Sequence, residues 1–233
     1  MAKFAVYFVP EETSEFYQLA SKVVGYDVRA QSDCMPPREL EQQFTPWMTE
    51  WGTLSRPYGL HLTIGDAITF DPKQVENIAT ELESLLACFG PDDVFELTQC
   101  AELIPDWGKS IVLRYDASPA LLMFHALVIA RLNTLGSGSL YTPPYISPEL
   151  RYQDAPVKLK QIQKFHSPTV LGHFQPHFTL LNPFTGNQKQ ELVETLTHLF
   201  APFNSISVSS ICLLIQSQDD KPWQIYREYS CLN

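Results

Sequence analysis

YGLHLTIGDAI (residues 58–68) and FQPHFTLLNPF (residues 174–184) decide how this chain folds, because they are two versions of one segment. Each carries H-x-T on an apolar run, as His61 and Thr63 in the first and His177 and Thr179 in the second, and each has an aromatic residue three positions before its histidine, Tyr58 and Phe174. On a β-strand, residues i and i+2 face the same way about 6.6 Å apart, so His61 and Thr63 project together while Leu62 and Ile64 turn inward. His177 and Thr179 project in the same way, with Phe178 and Leu180 inward. With six His and 15 Thr in the chain, a single H-x-T means little, but two in matched surroundings point to a repeat.

The surrounding sequence extends the match. KFAVYFV (3–9) is rich in β-branched and aromatic residues and stops at Pro10, after which Phe16, Leu19, Ala20 and Val23 recur at helical spacing. SIVLRY (110–115) and the apolar series after Pro119 repeat that strand and helix. Behind each H-x-T strand comes another helix, with Ile78, Leu82, Leu85 and Phe89 in one and Leu192, Leu196, Leu199 and Phe203 in the other, at an offset of 114. VFELTQCAELI (94–104), ISVSSICLLIQ (206–216) and WQIYREY (223–229) read as further strands. The expectation is an α+β fold in which one domain, 1–233, has two pseudo-symmetric lobes of antiparallel sheet with outer helices, from half-repeats of roughly 1–106 and 107–233. Residues 27–56 and 136–172 lack clear periodicity and read as long loops.

Composition narrows the function. A 45% apolar chain of 233 residues can bury a sizeable core, and 16 Lys+Arg against 26 Asp+Glu leave a formal charge of -10, which repels a long nucleic-acid backbone. The five cysteines form no C-x-x-C pair, so reduced thiols and a cytoplasmic location are expected. The N-terminal apolar run is too short for a signal peptide, and PALLMFHALVIARL (119–132) is too short to span a bilayer, so no membrane contact is expected.

Two imidazoles and two hydroxyls facing one point suit a phosphate. One imidazole can take a proton from water while the other protonates a leaving oxygen, and the threonine hydroxyls can donate to the non-bridging oxygens. HLTI (61–64) and HFTL (177–180), set in two half-repeats, resemble the 2H phosphoesterase superfamily, over nearly the whole chain. That superfamily includes RNA 2',3'-cyclic phosphodiesterases, also called 2'-5' RNA ligases. FAVYFVP and the Tyr-Gly-Leu-His context are most similar to a branch associated with phosphonate-utilisation operons. The resemblance implies a bilobal fold, His61 and His177 as catalytic acid and base, and Thr63 and Thr179 as phosphate ligands.

The activity expected is metal-independent hydrolysis of a small cyclic phosphodiester, a 2',3'-cyclic nucleotide or a sugar cyclic phosphate, by a monomer with no cofactor. The alternatives are a nucleotide-binding module without turnover, and an RNA end-processing ligase. Tyr7, Tyr58, Tyr115 and Phe174 are the aromatic candidates for lining the substrate cleft. His166 and His173 are loop candidates, and Arg56, Lys158, Lys160 and Lys164 could lend positive potential. His125, inside an apolar helix, reads as structural.

Overall fold

A computed structural model of the chain describes residues 1–44, 52–219 and 221–231. In chain order these form β1 (Lys3–Phe8), α1 (Glu15–Val24), β2 (Tyr26–Asp27), β3 (Ser32–Asp33), α2 (Arg38–Gln43), β4 (Leu62–Thr69), α3 (Val75–Leu86), β5 (Glu96–Gln99) and β6 (Ile111–Ala117). There follow α4 (Pro119–Arg131), β7 (Gly138–Ser139), α5 (Pro148–Arg151), α6 (Pro156–Phe165), β8 (His177–Leu181), α7 (Lys189–Phe200), β9 (Ser205–Ser207), β10 (Ser210–Gln216) and β11 (Gln224–Ser230).

The fold is α+β. Its centre is a curled antiparallel sheet in the order β11-β10-β1-β4-β8-β6-β5-β9, with β7 paired to the far end of β4. The two motif strands, β4 and β8, are neighbours in the middle of this order, joined at Leu62 and Phe178. Strands from early and late sequence interleave around them. β5 lies against β6, and β10 lies against β1.

The inward positions of the motif strands build the core. Leu62, Ile64, Phe178 and Leu180 are fully buried, each contributing about 1.5–3 kcal/mol relative to exposure. Above them Phe16 of α1 meets Phe178 edge to face at 5.0 Å, and α1 is held in place by Ser14, whose hydroxyl accepts from the Tyr17 amide, and by left-handed Gly25 at its end. On the same side α4 covers β4 so closely that a Cβ at Gly65 would lie 2.8 Å from Cγ1 of Val128. Helices therefore blanket one face of the motif strands, and the His/Thr face is left for other use.

The structure departs from the sequence expectation in four segments. Residues 136–172 hold β7, α5 and the ten-residue α6, whose apolar side is thin because Ile162 is fully buried while lysines and glutamines fill most other positions. Residues 27–56 hold β3 and α2, with 45–51 outside the described residues. The expected strand 94–104 pairs only over Glu96–Gln99, and 206–216 splits into β9 and β10. Among the described residues, no helix is long and apolar enough to cross a membrane.

Candidate functional site

β4 and β8 show the same alternation. His61, Thr63, His177 and Thr179 are half-buried, while the residues between and after them are buried. The antiparallel pair Leu62–Phe178, extended by one residue each way, sets His61 opposite Thr179 and Thr63 opposite His177. Opposed residues share a face with Cβ atoms about 5 Å apart, and the diagonal His61–His177 pair is separated by roughly 7–8 Å. The four side chains thus form one patch.

Each histidine is anchored identically. Nδ1 of His61 donates to the Gly59 carbonyl at 2.9 Å, and Nδ1 of His177 donates to the Gln175 carbonyl at 2.7 Å. A carbonyl only accepts, so the proton of each neutral ring sits on Nδ1 and the Nε2 lone pair is left for proton exchange. Gly59 can turn its carbonyl this way because it adopts φ 64°, where a Cβ would also collide with Val28. Tyr7 stacks on His61 at 4.0 Å between centroids, and Trp107 tilts against His177 at 5.0 Å, itself topped by the Arg114 guanidinium at 5.4 Å. Burial lowers the His61 pKa to about 4, with a further push from His177. Burial also lowers that of His177, with Arg114 adding to the effect. Both rings are therefore neutral at pH 7 when nothing is bound.

A cavity of about 780 Å³ opens beside the patch, lined by His61, Thr63 and Thr179 together with Tyr7, Tyr58 and Asp66. His177 does not line it. Its neighbours Trp107, Arg114 and Gln175 line a second cavity of about 730 Å³. The first cavity is also lined by Tyr141, Gln216, Asp219 and Lys221, and Asp219 is hydrogen-bonded to buried Lys3 and to Tyr145.

Asp66 is unusual in its burial and in its orientation. An unbroken strand would put it on the core face with Leu62 and Ile64. The pairing of β1 with β4 slips by one residue, however, from Tyr7–Thr63 to Val6–Gly65. Gly65 consequently faces α4 and Asp66 faces the cavity. Asp66 is 8% exposed, its Oδ2 has no hydrogen-bond partner, and burial raises its pKa from 3.8 to about 6 despite help from Ser167.

That ionised carboxyl costs the fold about 3 kcal/mol, the free energy of moving a pKa from 3.8 to 6. The cost is absent below pH 3.8, where folded and unfolded states are both protonated, grows up to about 6 and is constant above. Asp66→Asn is accordingly expected to raise unfolding free energy by about 3 kcal/mol at pH 7.5 and by almost nothing at pH 3.5. Denaturant unfolding at both pH values checks this, and a gain independent of pH would contradict it.

The remaining sequence candidates fall elsewhere. Tyr115 is buried in the core, donating its hydroxyl to the Phe203 carbonyl and packing on Phe16 and Phe178. Phe174 stacks at 3.7 Å on His125 and lines neither cavity. His125 holds the fold, with its ring nitrogens against the Ile64 and Thr169 carbonyls. His166 ends α6 in a left-handed turn, and His173 is exposed. Arg56 pairs with Asp33 at 2.7 Å, Lys158 sits over Tyr152, and Lys160 and Lys164 are exposed. Asp66 and Arg114 also belong to the two cavities and show in the sequence only as charges inside apolar strands, while Trp107, Tyr141 and Lys221 line the cavities with no such signal. Among the described residues, no group of three or more His, Cys, Asp or Glu that could hold a metal ion is found.

A family model described as "Protein of unknown function (DUF1045)" matches residues 152–224, a span that includes His177 and Thr179 but not His61, Thr63 or Asp66. No curated protein matches the chain.

Proposed function

We propose that the patch hydrolyses a small cyclic phosphodiester, carried by a nucleotide or a sugar, as the likeness to 2H phosphoesterases implies. The observation that carries this reading is the Leu62–Phe178 register, which gathers two imidazoles and two hydroxyls on one face beside a cavity. In this reading the motif strands are the inner strands of two related lobes. The helices that follow them support the repeat, since α3 and α7 are each 12 residues long and begin 114 positions apart.

Nε2 of one histidine takes a proton from water as the water oxygen bonds to phosphorus. The ring P–O bond breaks, and the other histidine, protonated, gives its proton to the departing oxygen. Thr63 and Thr179 donate to the non-bridging oxygens as their charge grows. The product is a phosphomonoester. The bound anion favours protonation of one of two otherwise neutral rings, so substrate helps set the protonation state that its own hydrolysis needs. Proton transfer and charge stabilisation are both met by side chains, and the mechanism calls for no metal. A net charge of -10 fits a small substrate better than a long nucleic acid.

The test is a screen of EDTA-treated protein against 2',3'-cyclic nucleotides and sugar cyclic phosphates, with the product phosphate position read by phosphorus NMR. Turnover of at least one substrate in EDTA is expected. Tight binding without turnover across the whole set would instead make the protein a nucleotide-binding module.

A further inference from the structure

We infer that Asp66 is a specificity-determining residue, accepting a hydrogen bond from a hydroxyl on the sugar part of a phosphorylated ligand. The inference rests on the phosphoesterase reading above and deepens it, because it says what must be attached to the phosphate. Three observations carry it. The Asp66 carboxylate faces the cavity that His61 and Thr63 also line, it is more than nine-tenths buried, and no protein donor reaches its Oδ2. Buried carboxylate oxygens are nearly always hydrogen-bonded, and this one, shut off from solvent in the empty cleft, lacks a donor that a ligand in the cavity can supply once the carboxyl turns toward it.

Position and surroundings choose the donor. Asp66 lies three residues beyond Thr63, roughly 10 Å along the strand, which is beyond the reach of a phosphate held by Thr63 but within that of a group bonded to it. The same cavity is lined by the side chains of Tyr7, Tyr58 and Tyr141 and by those of Asn182 and Gln216. Flat apolar faces beside scattered neutral donors and acceptors suit a sugar, whose C–H faces pack on rings and whose hydroxyls bond at the edges. An ammonium ligand fits less well, since Lys221 lines the same cavity and Lys3 stands behind Asp219. The carboxylate also rejects a second phosphate at this end by charge repulsion, so the sugar's far end is expected to be unphosphorylated or turned away.

The probes are ribose 5-phosphate, methyl phosphate and D-ribose, titrated calorimetrically into wild type, Asp66→Asn and the double variant Thr63→Ala/Thr179→Ala. Ribose 5-phosphate and methyl phosphate carry the same charged group and differ in the sugar. Wild type is expected to bind ribose 5-phosphate at least about tenfold more tightly than methyl phosphate, the advantage of a hydrogen bond to a charged acceptor. Asp66→Asn should bring the two within about threefold by weakening only the sugar phosphate, whereas the double variant should weaken both esters. A wild-type preference below twofold, or one that Asp66→Asn leaves intact, overturns the role of Asp66 while leaving the phosphate reading standing. Ribose binding that depends on Asp66, with no affinity for methyl phosphate, overturns the phosphate reading and keeps Asp66 as a sugar ligand. Absence of binding by all three probes overturns both.

Discussion

Exchange of His61 or His177 for alanine is expected to lower kcat/KM on the best cyclic phosphate by at least about 10²-fold while the protein stays folded. Both residues are half-buried on the face away from the helices, so their loss opens no core cavity. The double variant should lose far less than the product of the two single losses, because acid and base act in one step. The pH dependence follows from burial. Both rings have lowered pKa values in the empty site, His61 at about 4, and kcat/KM refers to the empty site. The acid must be protonated, so kcat/KM should fall as pH rises through values below the ordinary 6.5 of an imidazole, giving a bell with its maximum on the acid side. The bell for kcat should lie at higher pH, since bound phosphate raises both rings. Its apparent limits belong to the pair and not to either residue. A single variant with near wild-type turnover, or kcat/KM that keeps rising past pH 7, would sink the two-histidine mechanism.

The second large effect concerns the seam. Phe178 is fully buried, meets Phe8, Phe16 and Tyr115 edge to face, and is the backbone partner of Leu62 where β4 joins β8. Phe178→Ala should cost about 3–5 kcal/mol of unfolding free energy, the usual loss for emptying an aromatic site in a packed core. It should also damage function below the unfolding transition, because the cavity forms under the pair that aligns His61 with Thr179. A misplacement on the order of 1 Å can cost up to about 10²-fold in rate. Leu196→Ala, equally buried on α7, should lose stability and leave turnover per folded molecule near wild type. Equal effects of the two variants on turnover would show that the seam does not set the catalytic geometry.

The motif strands were legible because a half-buried strand writes its two faces into alternate residues, and HLTI and HFTL do this without interruption. Helices α1, α3, α4 and α7 were legible through apolar stripes at helical spacing. α6 was not, since a short helix lying on the rim needs only Gln161 and Ile162 against its neighbours. Tyr7 and Tyr115 are both cleft candidates on the first strands of the two half-repeats, but pairing separates them. Tyr7 lies opposite Thr63, and the residue opposite Thr179 is Val112, so Tyr115 falls on the other face, in the core. Asp66 was missed for a related reason. Strict alternation would place it inward with Leu62 and Ile64, and a one-residue slip between neighbouring strands leaves no mark in the sequence of either.

That slip at Gly65, followed by a second before Ile68, sets a short stretch of β4 apart from the rest in orientation. Before it, odd-numbered positions look toward the cleft and carry the histidine and threonine. Just after it the count changes, so that Asp66 looks the same way from an even-numbered position, and a second shift before Ile68 restores the original count. The segment that would perform the reaction and the segment that would identify what is reacting are therefore indexed separately, on one continuous piece of backbone. A residue gained or lost beyond Gly65 would re-aim the recognition end while His61 and Thr63 kept their register with β8, so a single strand can acquire a new ligand preference without renegotiating its chemistry.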